Sequence, residues 1–164
     1  MQPNTSESTS EQALILPTSI ATKRDVLRMQ QLLEQYLEEL LRAEAASSAT
    51  LPTVPAEIVQ LCAINTIHTL NTQETEKLKK QCAQLLETSP LVHIALSTEP
   101  DEKALTRFVE WFRREIHPSC LLQISVQPSI AGGCVVRTGS LIYDFSFRHM
   151  LLVSQQKLTE ALVA

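Results

Sequence analysis

Residues 127–144 read Gln-Pro-Ser-Ile-Ala-Gly-Gly-Cys-Val-Val-Arg-Thr-Gly-Ser-Leu-Ile-Tyr-Asp and contain every glycine of the 164-residue chain. Average usage of about 7% would give about eleven glycines; this chain has three, Gly132, Gly133 and Gly139. Backbone freedom is therefore concentrated in one place. Gly139-Ser140 fits the loop of a type II′ hairpin, whose first central residue needs positive φ. That loop pairs Thr138 with Leu141, Arg137 with Ile142 and Val135 with Asp144. Arg137 and Asp144 then become diagonal neighbours on one face, within reach of an ion pair. Gly132 and Gly133 open the hairpin, where a bulge or a close backbone approach leaves no room for side chains.

Upstream of the hairpin, two segments alternate with the period of a strand. Leu91 to Leu96 sets Val92, Ile94 and Leu96 against Leu91, His93 and Ala95; Leu121 to Gln127 sets Leu122, Ile124 and Val126 against Leu121, Gln123 and Ser125. Between them a helix is expected to start near Pro100, with Thr98 or Glu99 as cap. It buries Leu105, Phe108, Val109, Phe112 and Ile116 at helical spacing, and His117-Pro118 stops it. The three pieces form a βαβ unit, right-handed if the strands are parallel. Downstream, Ser146 or Asp144 is placed to cap a last helix over about 146–162, with Phe147, Met150, Leu151, Leu158 and Leu162 on its apolar side.

Further towards the N-terminus the period is helical. Thr22 to Ala46 is rich in Leu, Glu, Gln, Arg and Ala, with no Gly or Pro. Thr22 is its expected N-cap and Asp25 its acidic first-turn residue. Val26, Met29, Leu33, Tyr36 and Leu40 recur at intervals of three and four, and Leu37 and Leu41 widen the stripe. Such a stripe must be covered, by the rest of the chain or by a partner helix. Ser47 to Pro55 breaks the helix. A short helix from Pro55, carrying Ile58, Leu61 and Cys62, is expected to end near His68. Another opens at Asn71 with Glu74, carrying Leu78, Cys82, Leu85 and Leu86. Residues 1–20 begin with a Ser/Thr-rich stretch and read as a flexible arm, with Leu14, Ile15 and Leu16 as a small adhesive or collapsed end. The expected organisation is an arm (1–20), a helical region (21–88) and a small C-terminal α/β domain (89–164), an α+β fold.

Composition narrows the function. A chain so poor in glycine has no GxGxxG or GxxxxGK[ST] loop to wrap phosphate. With 14 basic against 18 acidic residues, its charge is not that of an electrostatic nucleic-acid binder. No apolar run approaches the about twenty residues of a spanning helix, and residues 1–12 read as neither a secretory nor an organellar leader. Cys62, Cys82, Cys120 and Cys134 follow no zinc or CxxC spacing and read as reduced, buried fillers. His68, His93, His117 and His149 are scattered and read as structural. Cys120 beside His117 lacks a nucleophile elbow. Adjacent Glu38-Glu39 and Asp101-Glu102 point in different directions and are read as solvated surface. No catalytic residue, metal site or cofactor is expected. Arg113-Arg114 reads as an exposed basic pair, open to an acidic partner helix.

The run from Val126 through Gly139, followed by Leu-Ile-Tyr-Asp-Phe-Ser, closely resembles the C-terminal signature of the delta subunit of F-type ATP synthases. The mitochondrial relative of that family is the oligomycin sensitivity-conferring protein. Gln127, Ile130, Gly132, Gly133, Val136, Arg137, Gly139, Asp144 and Ser146 match the signature, and the likeness covers about residues 88–160. Cys134 stands where the family has an aliphatic or small residue, and Phe145 where glycine is common. The helical candidates at 22–88 are shorter than the family's N-terminal bundle, so the chain looks like a minimal bacterial version.

The resemblance implies a non-catalytic stator subunit, peripheral on the cytoplasmic side of the bacterial cell membrane. It would link the catalytic head, through N-terminal segments of the alpha subunits, to the C-terminal ends of the b-subunit stalk. The signature residues read as scaffold. The candidate partner interface is the helical stripe with the basic pair: Leu33, Tyr36, Leu37, Leu40, Leu41, Arg113 and Arg114. A free-standing adaptor for another helical partner is the alternative, and a small enzyme using Cys120 or His117 a more distant one.

Overall fold

Helix α1 (Lys23–Ala45) begins at a capping box: the Thr22 side chain accepts the Asp25 amide, and the Asp25 carboxylate accepts the Thr22 amide at 2.8 Å. The computed structural model describes residues 14–46, 51–130, 132–148, 151–152 and 154–155. Helix α2 (Ala56–Ile64) is shorter than its apolar pattern suggests. Thr66 adopts φ +54°, the Ile67 amide donates back to Cys62 O at 2.9 Å, and Asn65 Nδ2 donates to Leu61 O at 2.8 Å. This is a Schellman-type end with threonine in the place usually taken by glycine, and it stops the helix before His68. Helix α3 (Thr72–Thr88) starts where Asn71 accepts the Glu74 amide, as the spacing predicts.

The helices share one apolar core. Val26, Met29, Leu33, Tyr36 and Leu40 of α1 pack with Ile58, Leu61 and Cys62 of α2 and Leu78 and Cys82 of α3. The stripe on α1 is therefore covered by the chain itself. Leu14, Leu16 and Ile20 join the same core, so the arm expected over residues 1–20 does not extend to residue 20. Residues 1–13 lie outside the described residues.

The rest of the described chain is strand β1 (Leu91–Leu96), helix α4 (Glu102–Glu115), strand β2 (Leu121–Val126), a 3-10 turn (Pro128–Ile130) and the hairpin β3 (Cys134–Thr138) and β4 (Leu141–Asp144). The four strands form one mixed sheet in the order β2-β1-β3-β4. β1 and β2 are parallel, with Leu91 opposite Leu121; β3 runs antiparallel to β1 and β4 antiparallel to β3. Val92, Ile94, Leu122 and Val136 pack with Val109 and Phe112 of α4 in a second core. Three helices precede the sheet and α4 crosses from β1 to β2 against it, an α+β fold.

Two details of α4 differ from the expectation. Asp101 is the N-cap, its carboxylate accepting the Ala104 amide at 2.7 Å, because its short side chain reaches the third helical amide; Thr98 and Glu99 lie outside the helix. Ile116 is the C-cap and remains 41% exposed, because the helical period that would have turned it inward ends at Glu115. The last helix is described only in part: Phe147 and Leu151 of its apolar side are exposed, and Met150, Leu158 and Leu162 lie outside the described residues.

Candidate functional site

The glycine-bearing segment forms the predicted hairpin in the predicted register, Val135 opposite Asp144, Arg137 opposite Ile142 and Thr138 opposite Leu141. Gly139 takes φ +54° at the loop, with open space around it. Gly133 has φ +80°, and a Cβ there would lie 2.2 Å from Phe145 O. Gly132 at φ +134° packs under the Phe147 ring. Backbone bonds from Phe145 N to Cys134 O (2.9 Å) and Phe147 N to Gly132 O (3.0 Å) carry the ladder past the end of β4. Side chains larger than hydrogen would keep these strands apart.

The other signature positions also build the scaffold. Gln127 N donates to Leu96 O and Gln127 O accepts from Ile130 N, which closes the turn after β2; Ile130 and Val136 are buried. Asp144 Oδ1 accepts the Ser146 amide at 2.8 Å, an Asx turn that redirects the chain out of β4. Arg137 is exposed, between His93 and Ile142 in the register.

The candidate partner interface is not brought together. Leu33, Tyr36 and Leu40 are core residues at 4% exposure or less, Leu37 is half-buried, and only Leu41 is exposed. Arg113 faces inward: Nη1 donates to Leu16 O (2.7 Å) and Pro17 O (2.9 Å), and Nη2 donates to Ile20 O. Burial pulls its pKa below the ordinary guanidinium value. Arg113 is thus an internal clamp, while its neighbour Arg114 is exposed and pairs with Glu115 at 2.8 Å. The sequence held a signal for this, since Arg113 follows Val109 by one helical turn and falls beside the apolar stripe.

The exposed apolar surface lies elsewhere. Tyr143 is opposite Val136 and Leu141 opposite Thr138, so both project from the sheet face covered by α4. Phe145 continues that row, its ring stacked on Tyr143 at 6.3 Å with an interplanar angle of 10°. Helical spacing puts Phe108 and Trp111 on the side of α4 away from Arg113, and Trp111 meets Phe112 edge-on at 4.8 Å. Trp111, Leu141, Tyr143, Phe145 and Phe147 are all exposed. In a chain that is 4% aromatic, Tyr143 and Phe145 form a stacked and exposed pair of a residue class enriched at interfaces. Reading β4 as alternating in and out would have found it, because an edge strand has no helix of its own to cover it.

Cys120 is buried, and desolvation raises its thiol pKa against the opposing pull of the Arg113 charge. His117 Nδ1 lies 2.8 Å from Ser119 Oγ. A protonated, covered thiol is a poor nucleophile. Among the described residues no cluster of His, Cys, Asp and Glu could hold a metal, and no helix is long and apolar enough to cross a membrane. No protein-family model matches the chain, and no match was found among curated proteins.

Proposed function

We propose that the chain is a delta-type stator subunit of a rotary ATP synthase, linking the catalytic head to the peripheral stalk without catalysing a reaction itself. The observation that carries this reading is the use made of the signature. Gly132, Gly133 and Asp144 shape the open end of a hairpin whose outer strand presents Leu141 and Tyr143, with Phe145 stacked on Tyr143 just beyond it. A rigid, aromatic shelf suits the apolar face of a partner helix. We assign the stalk contact to this shelf and not to α1, whose apolar face is spent on the core.

The test is co-purification from native membrane. The full chain should bring down b and alpha subunits. Tyr143→Ser with Phe145→Ser should leave the fold intact and lower stalk retention at least tenfold, the scale of hot-spot losses. Retention equal to wild type would remove the shelf from the interface. Capture of an unrelated helical protein, with no synthase subunit, would favour the adaptor reading.

A further inference from the structure

Residues 14–21 connect to four different elements, although they belong to no helix or strand. Leu14 and Leu16 point into the helical core while Ile15 between them stays exposed, an alternation that aligns the backbone of this segment for side-chain hydrogen bonds. Asn65, at the end of α2, holds both polar groups of Ile15: its Oδ1 accepts the Ile15 amide and its Nδ2 donates to Ile15 O, each at 2.9 Å. Arg113 of α4 holds the carbonyls of Leu16, Pro17 and Ile20. Ala21 O accepts the Leu122 amide of β2 at 2.8 Å, and Ala21 itself is buried in the sheet core. Asp25 of α1 accepts both the Ala21 and Thr22 amides.

We propose that residues 14–21 are a strap that locks the helical region to the α/β domain, with Arg113 as its latch. The geometry points to this because the two cores meet through few other groups. Leu91 and Leu121, at the strand ends, reach the helical core, and the strap supplies Leu14, Leu16 and Ile20 to one core and Ala21 to the other. The hydrogen bonds of the Arg113 guanidinium run from Nη1 and Nη2 to strap carbonyls, while its buried Nε has no partner among the described residues. A charged donor bonded to carbonyls in a partly buried site holds more strongly than neutral pairs do. The strap passes directly into the capped start of α1. Any tilt of that helix, about 35 Å long at 1.5 Å per residue, is therefore transmitted to the sheet. The value of such stiffness to a stator rests on the function proposed above; the strap itself does not.

The test uses the full chain in solution. Nitrogen-15 relaxation of wild type should fit one rotational correlation time for amides of α1–α3 and of β1–β4 together. Arg113→Ala should split this into two and speed exchange of the Leu122 amide by about tenfold or more, the scale of losing a charge-assisted bond. Asn65→Ala should also speed Leu122 exchange, although Asn65 belongs to the helical half. This second variant keeps the proposal testable if the first fails to fold. Two correlation times in wild type, or Leu122 exchange unchanged in a folded variant, would overturn the strap. A strap that fails while native membranes still yield stalk and head together leaves the stator reading standing. A strap that holds while no synthase subunit co-purifies rejects the stator reading alone.

Discussion

Gly133→Ala and Gly139→Ala place the same methyl group in the same hairpin, and the structure predicts that they differ. At Gly139 a Cβ meets nothing within 4 Å, so the cost is that of holding alanine at φ +54°, about 1 kcal/mol. At Gly133 the positive φ is joined by a contact of 2.2 Å with Phe145 O, a backbone atom that gives way only if the strand moves. That movement loosens the Phe145–Cys134 bond, worth about 1 kcal/mol. Strain at φ +80° adds about 1–2 kcal/mol, so the total comes to about 2–3 kcal/mol. With a urea slope of about 2 kcal/mol/M, the midpoint should fall by about 1–1.5 M for Gly133→Ala and about 0.5 M for Gly139→Ala. Trp111 reports the transition, since it packs edge-on to Phe112 over the sheet. Equal shifts, or a larger one at Gly139, would refute the reading of Gly133 as the site of obligatory close approach. Gly139→Asn should be milder than Gly139→Ala, because asparagine tolerates the left-handed region.

Other outcomes follow from burial and charge. Leu33→Ala, at a fully buried position, should destabilise by about 2–5 kcal/mol, whereas Leu41→Ala on the exposed side should stay within about 0.5 kcal/mol; thermal or urea unfolding separates them. Tyr143→Ser with Phe145→Ser should likewise leave the unfolding midpoint nearly unchanged, since both side chains are exposed. Burial pushes the Cys82 thiol from 9.0 up to about 11. The folded chain then keeps a proton that the unfolded chain releases: this stability is fully present below pH 9 and is lost as pH rises towards about 11, at about 1.4 kcal/mol per pH unit. Cys82→Ala should flatten that part of a stability-against-pH curve relative to wild type.

Much of this fold was legible because it follows from local chemistry. Positive φ at Gly139 dictated the hairpin register, and the register in turn placed Leu141 and Tyr143 on the helix-covered face. Thr22 with Asp25 and Asn71 with Glu74 marked two helix starts, because a capping side chain acts within three residues of itself. The end of α2 was harder to read. Its apolar pattern runs on, and the stop comes from Asn65 and a left-handed Thr66, a position where glycine is the usual signal.

The contacts that escaped the sequence are those in which a side chain binds distant backbone. Arg113 reaches carbonyls more than ninety positions away, and Asn65 reaches Ile15 across fifty. A carbonyl is present at every residue, so nothing in the sequence of residues 14–21 marks a partner for either. The stripe on α1 is ambiguous for a related reason: periodicity shows that Leu33, Tyr36 and Leu40 must be covered, but not by what. The covering groups include Leu14, Leu16 and Ile20 of the segment that Arg113 holds. The clamp and the covered stripe are thus one fact seen from two sides. Arg113 and the α1 leucines, both of which resembled partner contacts, are used up inside the chain, the first in holding residues 14–21 and the second in the helical core. What neither core covers at the sheet edge is the stacked pair Tyr143 and Phe145, the surface proposed above for a partner.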